Sequence, residues 1–161
     1  MPLGLKMATC SENINYVVDL TPMFLQHGDV FCSLFTDGRP ASFLSEKLCV
    51  AIFHNIFYRT APNSSFDLVG EIDGKFSKIE VKTLTKNGLK LVQSKSIGVG
   101  RTINDNETKN WKDCIDYFMI VDCSKMDKLA FSLITANSVE ARAYTNGEAI
   151  RKFFNFEKVE I

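Results

Sequence analysis

Apolar and polar residues alternate along two stretches of the chain that flank Asp73-Gly74, and this pattern predicts a β-hairpin. An Asp-Gly pair suits a two-residue type I′ turn, because both central positions of that turn need positive φ angles. In the resulting register, Asp67 lies directly opposite Glu80. Alternation of side chains along a strand places Lys82 on the same face as Glu80. The apolar residues of both strands are expected to point into a core: Phe66, Leu68, Ile79 and Val81.

A second turn dipeptide, Asn87-Gly88, predicts that a third strand continues the hairpin into a three-stranded meander. A two-residue loop there pairs Lys82 with Gln93 and Glu80 with Lys95. One surface of the meander would then hold five polar side chains: Asp67, Glu80, Lys82, Gln93 and Lys95. Facing carboxylates repel each other unless something compensates their charge, so the pattern predicts a divalent cation between the two acids. The alternative is that this strand face is only solvated.

Helical periodicity precedes the hairpin. A turn is expected at residues 38–40, and Ser42 is suited to cap a long amphipathic helix. Its apolar stripe comprises Leu44, Leu48, Ala51, Ile52 and Ile56. The other predicted elements are a strand or first helical turn at 15–20, a short helix from Thr21-Pro22 to Gly28, a helix at 107–115, strands at 117–121 and 129–134, helices at 138–144 and 147–154, and a terminal strand from Phe156.

The combination of Asp67 with Glu80-Val81-Lys82 resembles the motif of the PD-(D/E)XK nuclease superfamily, the restriction-endonuclease-like phosphodiesterases. Phe66 stands where the motif's name has proline. The order of helix, three strands, helix and strand over about residues 41–134 also resembles the αβββαβ core of that superfamily. The resemblance implies an α/β (α+β) fold with a central mixed sheet flanked by helices.

The resemblance also implies a chemistry. Asp67 and Glu80 would bind Mg²⁺, with Mn²⁺ as a substitute, and Lys82 would orient or activate the attacking water. Gln93 would fix Lys82 or the water, and Glu46 would add a third acid, as in some members. The implied activity is hydrolysis of DNA to 5′-phosphate products by a homodimer, most like a compact type II restriction or phage or mobile-element endonuclease. The alternatives are a Holliday-junction-resolving nuclease and a non-catalytic DNA-binding module.

The segment 98–106 follows the predicted meander and is the stretch we expect to contact DNA. Its glycines permit close backbone approach, and its side chains include a guanidinium and two amides suited to phosphates or base edges. The predicted DNA-contacting residues are Lys95, Arg101, Asn104, Asn106 and Lys109. A flexible connection between a strand and a helix is the alternative interpretation.

Charge bears on the expectation of a nucleic-acid partner, because Lys and Arg carry affinity for phosphates. The chain has 19 basic and 19 acidic residues, so its formal net charge is zero. The distribution is uneven, since the interval 75–95 holds six lysines and a single acid, Glu80. A positive surface around the predicted site is therefore compatible with a neutral chain.

The length of 161 residues predicts one domain, residues 1–161, with residues 1–13 as a loose tail. We expect no membrane span and no secretory segment, and hence a cytoplasmic location. The five cysteines have no zinc-ligand spacing and are expected to be reduced thiols: Cys10, Cys32, Cys49, Cys114 and Cys123. His27 and His54 are too few for a histidine-rich metal site.

Overall fold

A computed structural model of the chain describes residues 15–22, 25–28, 38–54, 56–60, 64–92, 112–125 and 128–154. The strands are β1 (Asn15–Asp19), β2 (Phe57–Arg59), β3 (Leu68–Ile72), β4 (Lys75–Leu84), β5 (Leu89–Lys90), β6 (Tyr117–Lys125), β7 (Lys128–Thr135) and β8 (Ala143–Tyr144). The helices are α1 (Gly38–Ile52) and α2 (Asn146–Phe153), with 3₁₀ turns at Lys112–Cys114 and Ala136–Ser138. Residues 21–22 and 25–28 are also helical. None of the helices in these ranges is long and apolar enough to cross a membrane.

Six of the strands form one mixed sheet in the order β1-β7-β6-β4-β3-β2. All neighbouring strands are antiparallel except β4 and β6, which run parallel. The remaining two strands, β5 and β8, pair with each other in a small second sheet. The coarse prediction of an α+β fold with a mixed sheet is confirmed, and β4 lies inside the sheet between β3 and β6.

The hairpin of β3 and β4 has the predicted register. Ile72 pairs with Lys75, and the register continues to Leu68 and Ile79. The turn residues Asp73 and Gly74 have φ angles of 48° and 77°. Positive φ at both positions is what a type I′ turn requires, and this explains why the turn uses an Asp-Gly pair.

Alternate residues of β4 face two different hydrophobic clusters. Ile79 and Val81 are buried in the first, which includes residues of α1, β2, β3, β6 and β7. Leu84 is buried in the second, with Phe118 and Ile120 of β6. The predicted core positions Leu68, Ile79 and Val81 are therefore confirmed. Phe66 instead packs against the second cluster; the chain bends at residues 65–67 before β3 begins, and strict alternation does not extend to it.

The predicted third strand of the meander is wrong. Glu80 pairs with Phe118 and Lys82 with Ile120, so β6 occupies the side of β4 that the third strand would need. Pairing of Lys82 with Gln93 and of Glu80 with Lys95 is therefore excluded. Gln93 and Lys95 themselves lie outside the described residues.

The turn after β4 explains part of this error. Thr85 and Gly88 exchange two backbone hydrogen bonds of 3.1 and 2.9 Å, so the loop residues are Lys86 and Asn87 rather than Asn87 and Gly88. Gly88 closes the turn with a φ of 105°, which favours glycine. The chain then leaves the large sheet, and Leu89 pairs with Tyr144 of β8.

Helix α1 starts at Gly38 and not at Ser42, so the turn predicted at 38–40 is wrong. Proline lacks an N–H group, but the first turn of a helix tolerates it, and this accounts for Pro40. The helix ends at Ile52, whereas the sequence pattern extends it to Ile56. The short strand β2 begins at Phe57.

A chain of hydroxyl groups joins α1 to β4. The Ser45 hydroxyl is buried and donates to the Ala41 carbonyl oxygen at 2.7 Å, and the Thr83 hydroxyl donates to Ser45 at 3.1 Å. Because buried hydroxyls need partners, these bonds favour one placement of α1 on the sheet. Cys49 and Cys123 are buried free thiols, and Cys114 is an exposed one. Of the five cysteines predicted to be reduced, Cys10 and Cys32 lie outside the described residues.

The remaining predicted elements are partly confirmed, partly wrong and partly outside the described residues. The strands predicted at 15–20, 117–121 and 129–134 and the helix at 147–154 are confirmed by β1, β6, β7 and α2. The helix predicted at 138–144 is wrong, since a 3₁₀ turn ends at Ser138 and β8 begins at Ala143. Of the helix predicted at 107–115, the described part holds only the 3₁₀ turn Lys112–Cys114. The tail at 1–13 and the terminal strand from Phe156 lie outside the described residues.

Candidate functional site

Asp67 lies at the point where β3 separates from β4. Its backbone N–H donates to the Ile79 carbonyl at 3.1 Å, just beyond Leu68 and Ile79, the last paired residues of these strands. Its carboxylate oxygen Oδ2 then accepts the backbone N–H of Val81 at 2.8 Å. The carboxylate thus takes the place of the next ladder carbonyl, and this bond fixes its position beside β4.

Glu80 and Lys82 lie on the same face of β4, as the alternation predicted. The Lys82 Nζ atom is 2.9 Å from Glu80 Oε1. Both side chains are largely buried, with exposed fractions of 13% for Glu80 and 17% for Lys82. Their neighbours on β6, Phe118 and Ile120, are fully buried apolar residues. The ion pair therefore lies in surroundings where charges interact more strongly than in water.

A second pair of charged groups borders the acids. Glu46 of α1 and Arg59 at the end of β2 form an ion pair of 3.4 Å. Burial raises the pKa of Asp67 and the Arg59 charge opposes this rise, while burial raises the pKa of Glu80 and the Glu46 charge adds to it. Arg59 and Glu46 therefore lie within electrostatic reach of the two acids. The arrangement brings three acids and two cations into one region of the protein.

Burial raises the pKa of Glu80 to about 7, and the charge of Lys82 opposes this rise. The negative charges of Asp67 and Glu46 add to it. Burial also raises the pKa of Asp67, against the Val81 N–H bond and the charges of Lys82 and Arg59. The neighbouring Glu80 side chain also opposes the rise in the pKa of Asp67. The two neighbouring carboxyls therefore favour the uptake of a positive charge, whether a proton or a metal cation.

This gives a prediction for the metal-free protein. A carboxyl whose pKa rises from 4.5 to about 7 on folding contributes stability below pH 4.5 and loses it as the pH rises through 7. At about 1.4 kcal/mol per pKa unit, the loss is on the order of 3 kcal/mol. Because glutamine does not titrate, we expect Glu80→Gln to lose less stability than the wild type between pH 4.5 and pH 8.5.

Urea unfolding in EDTA at several pH values measures this difference. Glu71→Gln, on β3 of the same hairpin, is the matched control and should follow the wild-type pH dependence. Identical pH profiles for Glu80→Gln and the wild type would show that Glu80 does not titrate as its surroundings require.

The candidate metal ligands are Asp67 and Glu80. Among the described residues, no group of three or more His, Cys, Asp and Glu side chains is placed to hold a metal ion. Mg²⁺ does not need such a cage, because it keeps several waters and is commonly bound by one or two carboxylates plus substrate phosphates. Each carboxylate offers several lone pairs, and the bonds from Val81 and Lys82 use only part of this capacity.

The structure thus brings together four of the predicted site residues: Asp67, Glu80, Lys82 and Glu46. The others lie outside the described residues: Gln93, Lys95, Arg101, Asn104, Asn106 and Lys109. Sequence reasoning does not find Arg59, because the helical pattern before it predicts a helix through the residues of β2. The signal was the apolar run Ile56-Phe57-Tyr58 directly before the arginine, which has the length of a short strand.

Chemically, the site combines acceptor oxygens for a hard cation, a buried ammonium group and an adjacent guanidinium. These are the groups needed to bind a phosphate and to stabilise extra negative charge on it. No model of a known protein family matches this chain, and neither does any curated protein or any solved structure.

Proposed function

We propose that this protein is a metal-dependent nuclease that hydrolyses phosphodiester bonds in DNA, with Asp67, Glu80 and Lys82 as its central residues. The observation that carries the proposal is a pair of neighbouring, partly buried carboxylates: Asp67, which bonds the Val81 N–H, and Glu80, with a largely buried lysine two residues after it on β4. A solvated strand face would hold these groups apart in water. Here they share a hydrogen-bonded site whose charges are poorly screened.

The arrangement of the strands supports a restriction-endonuclease-like core. Along the chain, α1 is followed by the antiparallel strands β2, β3 and β4, and later by β6, which lies beside β4 and parallel to it. The described helix and four strands have the order of the corresponding elements of the αβββαβ core, and the position of its second helix falls largely on residues 93–111, outside the described part of the chain. The three strands are β2 to β4, and not the hairpin plus a third strand that the sequence pattern predicted.

The donor set fits Mg²⁺, and Asp67 and Glu80 would hold it. When bound, the ion supplies polarisation of the scissile phosphate and a lower pKa for a coordinated water. Lys82 holds one oxygen of Glu80 through its 2.9 Å contact and presents an ammonium group for the attacking water and for charge that develops on the phosphate. The Val81 N–H group holds the Asp67 carboxylate in place. Arg59 adds a second cation on the side of Glu46.

A non-catalytic DNA-binding module with the same fold is the second candidate function. One observation favours it: the Asp67 carboxylate and the Glu80 carboxylate already have partners in Val81 and Lys82, which satisfy them without a metal. In this alternative, Asp67 and Glu80 have a structural role at the edge of β4, and the lysines around the site bind the DNA.

The test is incubation of supercoiled plasmid with the purified protein in Mg²⁺, Mn²⁺, Ca²⁺ or EDTA. We expect nicking or linearisation with Mg²⁺ and Mn²⁺ and none with EDTA, because the acids need the cation to act on a phosphate. The ends should be ligatable 5′-phosphates. Binding without cleavage in every condition would favour the module instead.

The subclass needs separate measurements. We propose a homodimer that cuts both strands of a duplex, as in compact restriction or mobile-element nucleases, with junction resolution as the second choice. Light scattering measures the oligomeric state. Cleavage rates on linear duplexes and on four-way junctions of the same sequence separate the two activities.

A further inference from the structure

An open cavity of about 300 Å³ lies next to the acids, with Lys82 in its wall. It is formed where the first turns of α1, the end of β4, the following turn and β5 meet. The lining residues are Ser42, Lys82, Thr83, Thr85, Asn87, Gly88 and Lys90.

The lining has the chemistry of an anion site. Its residues carry two ammonium groups, three hydroxyls and one carboxamide, and none of the described lining residues is acidic. The Thr83 hydroxyl already donates to Ser45, so the hydroxyls of Ser42 and Thr85 are the candidate donors. The Thr85 hydroxyl accepts the Asn87 backbone N–H at 3.2 Å, which leaves the hydroxyl hydrogen to donate elsewhere. Hydroxyl, amide and ammonium donors are the groups that bind phosphate oxygens in protein–DNA complexes.

The composition favours an anion over other ligand classes. The lining residues offer no carboxylate, imidazole or thiolate to a metal cation, and two of them carry positive charges that would repel one. They also include no aromatic side chain on which a nucleobase could stack. A compact anion such as phosphate is therefore the ligand that this lining favours.

We infer that this cavity is a subsite for a phosphate group of the DNA strand that flanks the scissile phosphate. The inference rests on the proposed nuclease function and deepens it. Lys82 links the two places, because its ammonium group contacts Glu80 and its side chain also lines the cavity. For a strand whose scissile phosphate lies at Asp67 and Glu80, we therefore place the neighbouring phosphate in this cavity, beside Lys90 and Ser42.

The test compares Lys90→Ala with Lys86→Ala. Both lysines are exposed and lie within five residues of each other, but only Lys90 lines the cavity. Binding of a short fluorescent DNA duplex is measured by anisotropy in EDTA at several salt concentrations. We expect Lys90→Ala to weaken binding about 3–10-fold and to reduce the salt slope by about one unit, because one phosphate contact is lost. Lys86→Ala should have less than half of the effect on binding.

A second variant, Ser42→Ala, removes a hydroxyl without changing the charge. It should weaken binding about two- to threefold and leave the salt slope unchanged, since a neutral donor releases no counterion. Equal effects of Lys90→Ala and Lys86→Ala, or no effect of Ser42→Ala, would overturn the subsite.

Cleavage kinetics distinguish this inference from the proposed function. If the protein cleaves DNA, Lys90→Ala should raise KM by more than it lowers kcat. Intact cleavage with equal binding by the two lysine variants would reject the subsite and keep the nuclease. Absence of cleavage by the wild type, together with the Lys90 effect on binding, would reject the nuclease and keep the phosphate site. Inorganic phosphate is the remaining probe, and competition by it at lower concentration than by DNA phosphates would reject the strand as ligand.

Discussion

Asp67→Asn and Glu80→Gln should each lower kcat/KM for DNA cleavage by at least about 10³-fold, because a neutral amide is a poor ligand for a hard divalent cation. The fold should survive both changes. Asparagine keeps a carbonyl oxygen that can accept the Val81 N–H bond now made by Asp67. Glutamine removes a carboxylate whose pKa burial already raises. The measurement is plasmid cleavage in Mg²⁺ over a range of protein concentrations.

Glu71→Gln is the control for loss of a carboxylate from the same hairpin, and it should cleave like the wild type. Circular dichroism and thermal unfolding of all three variants establish that they are folded. If both single variants of the acid pair cleave at the wild-type rate, the acids do not act in catalysis and the metal-site assignment is wrong.

Lys82→Ala should lower kcat by about 10²–10⁴-fold and weaken DNA binding only a few-fold. The reason is the position of the ammonium group, which is largely buried and 2.9 Å from Glu80. A cation held there acts on the nucleophile and on the charge that develops in the transition state. As a phosphate contact, it is only one among several.

Lys78→Ala is the matched control, because Lys78 lies on the same strand and on the same face but is exposed. It should reduce binding slightly and leave kcat nearly unchanged. Single-turnover cleavage rates and anisotropy measure the two quantities separately. Equal and modest losses in rate and binding for Lys82→Ala would mean that it is an ordinary backbone contact.

The local part of the site could be predicted from the sequence. The facing of Asp67 and Glu80 follows from a two-residue turn and from the period of a strand, and both act over short distances along the chain. The structure has this register from Ile72 and Lys75 to Leu68 and Ile79. Asp67 lies in the bend just beyond it and comes close to Glu80 through its bond to the Val81 N–H. The same reasoning failed at Asn87-Gly88, where the loop is shifted by one residue and the next strand joins β8.

The non-local part could not be predicted in this way. Pairing of β4 with β6 joins Glu80 to Phe118, and no turn signal connects residues so far apart. Because β6 covers one side of β4, this pairing also creates the burial that raises the pKa of Glu80. The sequence alone therefore indicates which charged side chains lie close together, but not how strongly they interact.

Short elements were the other source of error. The three residues of β2 are too few to show the alternation of apolar and polar residues that is typical of a strand. The sequence pattern therefore predicts that α1 continues through them, and it does not single out Arg59. Gly70 of β3 shows how closely β2 packs, since an added Cβ atom would meet the Ile56 carbonyl and the Phe57 ring. Such a close approach depends on the neighbouring strand. The order of apolar and polar residues around Gly70 does not predict it.

The separation of β3 from β4 leaves an open strand edge. Beyond Ile79, the described residues provide β4 with a strand partner on the β6 side alone. Unpaired backbone N–H groups at such an edge are a template for pairing with another chain, and proteins commonly block them with charged side chains. Asp67 covers the Val81 N–H group with its carboxylate. This N–H group is therefore not available for pairing with another chain, whatever reaction the acid serves.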